Sequence, residues 1–146
     1  MTDFPGLVLP SYHIYYASPV KIVATPEGGA RVWRVSIDTG GWVEQNRLFE
    51  EILLAVGGEI FTRTAEQFVQ EVEAYRAHYL TGEGPVFALY DTISAIRSTA
   101  EEQGRRLTTE ETALIKGVRR RTFVMFEEEL QRAGDPGADP SLAQQP

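Results

Sequence analysis

TTEETALIKGVRRRTFVMFEEELQR, Thr108 to Arg132, is the stretch on which the fold turns. Leu114, Ile115, Val118, Thr122, Met125, Phe126 and Leu130 recur at the three-and-four spacing of one helical face. Thr108 followed three residues later by Glu111 is a capping-box start, and Gly134 supplies a stop. Such a helix is about 36 Å long at 1.5 Å per residue, enough to cross a small domain. Phe123 and Val124 widen the stripe, so that Phe123-Val124-Met125-Phe126 is apolar nearly all round and needs cover on more than one side. Arg119-Arg120-Arg121 precede this turn and Glu127-Glu128-Glu129 follow it.

Working back along the chain, Pro85 suits the first turn of a helix whose apolar face is Val86, Phe87, Leu89, Tyr90, Ile93 and Ile96, closed by Gly104. The short Arg105-Arg106-Leu107 link then predicts an antiparallel hairpin of the last two helices. Before it, Thr64 and Gln67 form a second capping box opening a helix through Phe68, Val69, Val72, Tyr75, Tyr79 and Leu80 to Gly82. A first helix begins near Asn46 as N-cap, carries Leu48, Phe49, Ile52, Leu53 and Val56, and ends at Gly57-Gly58. Glu59 to Thr62 reads as a short strand or extended chain.

The N-terminal part alternates instead. Tyr12, Ile14 and Tyr16 mark one strand, ended by Ser18-Pro19, and Val20, Ile22 and Ala24 mark a second. Thr25 to Gly29 is turn chemistry, followed by the clearest strand, with Trp33, Val35 and Ile37 directed inward and Val32, Arg34 and Ser36 on the other face. Asp38-Thr39-Gly40-Gly41 returns the chain through Trp42-Val43-Glu44. The expectation is an α+β fold: an N-terminal antiparallel β-meander of about three to four short strands, then about four helices. Residues 1–10 read as an arm, 11–134 as a single domain, and 135–146 as a disordered tail on composition.

A chain of 146 residues is one ordinary domain and buries enough surface to fold without staples. The absence of cysteine excludes disulfides, thiolate nucleophiles and Cys-type metal sites. The N-terminus lacks a basic region of the kind that opens a signal peptide, and no apolar run approaches a membrane span, so a soluble cytoplasmic protein is expected. The net charge of −7 is uneven: residues 97–121 hold seven basic and four acidic groups, and the remainder seven basic and seventeen acidic. That acidity opposes non-specific binding to nucleic acid.

Few residues suggest chemistry. His13 and His78 stand on different elements without metal-ligand spacing, so rim histidines are expected. Asp91, beside Tyr90 and with Tyr75 or an arginine in reach, is the one candidate acid–base group. Its simpler role is an acid on a small-residue helix face, paired with a nearby arginine. Gly28-Gly29, Gly40-Gly41 and Gly57-Gly58 lack phosphate-loop context and read as turns. Glu127 to Glu129 point about 100° apart, cannot converge on one ion, and are expected in solvent, where Glu127 is near enough to pair with the arginines. No catalytic constellation, metal site or cofactor motif emerges, and a non-enzyme is expected.

Arginine and aromatic side chains together are the types enriched at protein interfaces. Arg119, Arg120, Phe123, Val124 and Phe126 are therefore the expected contact residues of a non-catalytic accessory or regulatory protein that binds another protein or its own copy. Two alternatives rest on charge. Arg105, Arg106, Lys116 and Arg120 could bind an anion, or with Arg119 and Arg121 a nucleic acid. The acidic remainder could serve an inhibitor or immunity-type protein for a basic partner.

Overall fold

The computed structural model describes residues 8–54 and 60–144. Five strands, β1 (Ser11–Tyr15), β2 (Ser18–Ala24), β3 (Ala30–Val35), β4 (Trp42–Glu44) and β5 (Ile60–Arg63), form one antiparallel sheet in the order β4-β3-β2-β1-β5. The helices are α1 (Leu48–Leu53), α2 (Ala65–Tyr79), α3 (Pro85–Glu102) and α4 (Thr109–Arg132), and a 3-10 turn closes the described chain at Pro140–Gln144. The architecture is α+β, with the meander first and the helices after it. No helix among the described residues is long and apolar enough to cross a membrane.

The register explains how the sheet is covered. Tyr12 lies opposite Lys21, Lys21 opposite Trp33, and Val35 opposite Trp42, which puts these side chains on one face. There they join Phe68, Val69, Val72, Phe123 and Leu142 in one buried cluster. The alternate residues Val20, Ile22 and Val32 meet Leu48 and Ile52 on the opposite face in a second cluster. Both sides of the meander are thus covered: α2, α4 and the closing turn on one, α1 on the other. Val32 accordingly sits in a core, whereas Ile37 lies beyond the end of β3 and is exposed.

Local chemistry accounts for most boundaries. Both capping boxes are present: Thr64 Oγ1 accepts from Gln67 N and Thr108 Oγ1 from Glu111 N, and each N3 side chain returns to its cap. Pro85 occupies the first turn of α3. Ser18 and Pro19 belong to β2 rather than ending β1, because the hairpin turns at Tyr16 and Ala17, both with positive φ (47° and 68°). That pair of angles matches the twist of a two-residue hairpin at some steric cost to side chains. Asn46 is not the N-cap of α1. Its Oδ1 accepts from Val32 N at 2.8 Å, tying the loop to β3, and Arg47 stands at the cap position without a side-chain bond. The expected end of that helix at Val56 to Gly58, and most of the N-terminal arm, lie outside the described residues.

Glu111 carries a load beyond its cap. Its carboxylate accepts from Arg105 Nη1 at 2.8 Å and Nη2 at 3.2 Å, fixing the link between α3 and α4. The Arg105 bonds and the Thr108 amide hold its pKa down at about 2. A depressed carboxylate contributes stability above its unfolded value of about 4.3 and loses it as pH falls toward the folded one. An NMR titration of the Glu111 carboxyl should therefore give a midpoint near 2. Hydrogen exchange at the first turn of α4 should speed up over the same acid range.

Candidate functional site

Polar groups of the described residues gather in a buried charge cluster and in two grooves on the helical layer.

The cluster comes from the apolar face of α2. Counting four residues on from Val69 and Val72 gives Glu73 and Arg76, so both ride the buried stripe and both are fully enclosed. On α4 the stripe that turns inward is Ile115, Thr122, Phe123 and Glu127, rotated by about one residue from the one the periodicity predicts. Arg76 links the two helices, giving Nη1 to Glu73 Oε2 at 2.9 Å, Nη2 to Glu127 Oε2 at 2.5 Å and Nε to the Gly40 carbonyl at 2.9 Å. Trp42 Nε1 donates to Glu127 Oε1 at 2.9 Å, Asp139 N to the same oxygen at 2.8 Å, and the Tyr90 hydroxyl to Glu73 Oε1 at 2.8 Å. Lys21 is buried beside them, over the Trp42 ring at 4.2 Å and donating to the Gly137 carbonyl at 2.5 Å.

Burial pushes the Glu73 carboxyl up against the pull of Arg76, and it pushes Lys21 down. Arg76 loses solvation too, but Glu73 and Glu127 outweigh that loss and hold its pKa above the ordinary value. Every ionised group in the set has a partner within the fold, and Glu73, Arg76 and Glu127 have no exposed surface through which to meet a substrate. The cluster joins the sheet, three helices and the C-terminal segment; its chemistry is structural.

The first groove lies at the C-terminal end of α4. Leu80, Phe87, Phe126 and Leu130 line its floor, and Asp38, Glu83 and Glu129 stand on its rim, around about 360 Å³. The turn at Gly40 shapes it: a Cβ there would fall 2.6 Å from both Leu80 Cδ1 and Phe126 Cζ, and the φ of +75° also requires glycine. The Arg76 guanidinium stacks on Phe126 at 4.2 Å.

The second groove, about 690 Å³, runs between α2, α3 and the first half of α4 and is lined by Gln70, His78, Asp91, Ser94, Arg97 and Arg119 among others. Asp91 is exposed there and forms no ion pair with any described residue.

No family model, curated protein or solved structure matches this chain. The site residues must therefore be read from geometry alone.

The structure divides the residues that the sequence groups together. Phe123 is fully buried against the sheet, 5.6 Å from the Arg76 guanidinium, so it is no contact residue of a folded subunit. Val124 and Phe126 are half-buried, and Phe126 reaches the first groove. Arg119 turns instead into the second groove, while Arg120 reaches Glu66 on α2 at 3.8 Å. Of the four residues expected to bind an anion, Arg105 is engaged by Glu111 and Arg120 reaches Glu66, while Arg106 and Lys116 are exposed. Glu127 is not in solvent and pairs with Arg76 rather than with the arginines before it. His13 is buried rather than on a rim, with Nε2 2.9 Å from Ser11 Oγ, whereas His78 is exposed. Among the described residues no group of acids or histidines could hold a metal ion.

Proposed function

We propose that this is a non-catalytic accessory or regulatory protein that acts by binding another protein, and that the groove at the end of α4 receives a basic segment of that partner. The observation that supports it is the composition of the groove. Three exposed carboxylates, Asp38, Glu83 and Glu129, surround an apolar floor, none forms an ion pair with a described residue, and no basic side chain among the described residues lines the slot. A lysine or arginine suits such a slot. Its aliphatic stem packs on Leu80, Phe87 and Leu130, and its charge meets the rim.

The net charge of −7 disfavours a second copy at this rim and steers basic proteins toward it. An acidic inhibitor of a basic protein is one form the same role takes.

Affinity capture from the producing cells tests this with the wild-type chain and a Glu83→Lys, Glu129→Lys variant. Both positions are exposed, so the variant should keep its thermal midpoint. The wild type should retain a protein with an exposed Lys/Arg-rich segment, released by salt, and the variant should retain at least about tenfold less. Equal retention by both would contradict the proposal.

A further inference from the structure

We propose that the groove between α2, α3 and α4 is a binding site for a small hydroxylated organic phosphate, its phosphoryl group held by Arg97 and Arg119. The site is separate from the slot at the end of α4 and does not depend on it.

Two guanidinium groups, one from α3 and one from α4, meet on this groove, and neither forms an ion pair with any described residue. Arg63, by contrast, is matched with Glu71, Arg76 with Glu73 and Glu127, and Arg105 with Glu111. The Glu71 carboxylate also lines the groove, but it is held by Arg63 at 2.9 Å and does not neutralise the pair. Arg119 is half-buried, and both that burial and the charge of Arg97 disfavour its protonated form. A half-buried cation and an exposed one facing the same cavity are stabilised by a dianion, and paired guanidinium forks match phosphoryl oxygens in geometry.

The rest of the wall narrows the ligand. Gln70 gives its amide nitrogen to the Lys116 carbonyl at 2.9 Å, while its Oε1 is buried without a hydrogen-bond partner. Ser94 lies one turn from Arg97 along α3, and Asp91 about 9 Å from it. Ser94 and Asp91, both exposed on the groove, are acceptors for ligand hydroxyl groups, whereas Gln70 Oε1 has no accessible surface. The volume of about 690 Å³ exceeds what a bare ion fills and lies within the range of small-molecule sites. The aromatic groups on its wall are Tyr90, whose ring is buried and whose hydroxyl is turned to Glu73, and the exposed imidazole of His78. The exposed Ser94 and Asp91 on this wall suit the hydroxyl groups of a polar sugar phosphate.

The test is an NMR titration of the full chain with ribose 5-phosphate, inorganic phosphate and ribose. Arginine Nε–Hε signals and the amides of α3 are followed for the wild type and for Arg97→Ala, an exposed position that leaves the core intact. Ribose 5-phosphate should shift the Arg97 and Arg119 signals saturably and bind more tightly than inorganic phosphate, while ribose leaves them unmoved. Arg97→Ala should weaken binding at least about tenfold, as expected for loss of one charge-assisted contact. Absence of saturable shifts at up to about 50 mM ribose 5-phosphate would overturn the proposal. Shifts that persist unchanged in Arg97→Ala would overturn it equally.

Discussion

Arg76→Ala should destabilise the protein by about 3–5 kcal/mol, the range for breaking a buried ion pair from one side. In a chain of this size that is a fall in thermal midpoint of roughly 10 °C or more. The loss has little to do with the attraction removed. Arg76 lies between Glu73 and Glu127, all three without exposed surface, and its removal leaves two carboxylates in the interior with no cation between them. The Gly40 carbonyl also loses its donor. Guanidinium denaturation with and without Glu73→Gln and Glu127→Gln in the same chain separates these contributions. The glutamines still accept from Tyr90, Trp42 and Asp139 but carry no charge, so adding them to Arg76→Ala should restore part of the stability. An Arg76→Ala variant with an unaltered midpoint would mean that the cluster is not closed in solution.

Leu142→Ala should cost about 2–4 kcal/mol, as for a core leucine, although the residue lies four positions before the end of the chain. Composition predicts a disordered tail from Asp135 onward. The structure instead returns this segment across the sheet, where Leu142 is only 2% exposed and packs with Trp33, Trp42 and Phe68. Polar contacts hold the path. Asp135 Oδ2 accepts from Trp42 N at 2.9 Å, Asp139 N reaches Glu127, and the Gly137 carbonyl accepts from Lys21. At Gly137 a Cβ would fall 2.4 Å from the Trp42 Cβ, so only glycine lets the chain pass. Urea denaturation measures the effect, with the exposed Gln144→Ala as a comparison expected to change stability by less than about 0.5 kcal/mol. Equal behaviour of the two variants would show that the segment contributes nothing to the core.

These two expectations mark where sequence reasoning succeeds and where it stops. Capping boxes at Thr64 and Thr108, the proline opening α3 and the glycine turns between strands are local signals, and the structure has them all. The α+β order follows from them and from the change of hydrophobic period. Glu73, Arg76 and Glu127 were hidden because charged residues at helical spacing ordinarily mark a solvated face, and burial of each requires partners from other elements. One signal was available: Glu127 stands four residues after Phe123, and Arg76 four after Val72, each on its helix's apolar stripe. The tail escaped for a related reason. Its order comes from Lys21 on β2 and Glu127 on α4, which meet its backbone, and from the Trp42 amide on β4, which meets the Asp135 carboxylate, and no property of residues 135–144 by themselves reveals these partners.

The candidate surfaces show the same division. Phe126 and Arg119 are legible as residues of interest, but they stand seven residues and about 10 Å apart along α4, and the fold sends them to different grooves. Asp38, Glu83 and Arg97 come from other elements, so only the packing of α2, α3, α4 and the loop after β3 brings them into play.

The most direct measurement of the binding role is photo-crosslinking in the producing cells from p-benzoylphenylalanine placed at Thr81, an exposed residue lining the acidic slot. The same group at exposed Ser98 on α3 serves as the reference. Binding through the slot predicts an adduct from Thr81, mapping by mass spectrometry to a lysine- or arginine-bearing peptide of a second protein, lost with Glu83→Lys and Glu129→Lys and not obtained from Ser98. No adduct from Thr81, or equal adducts from both positions, would contradict it.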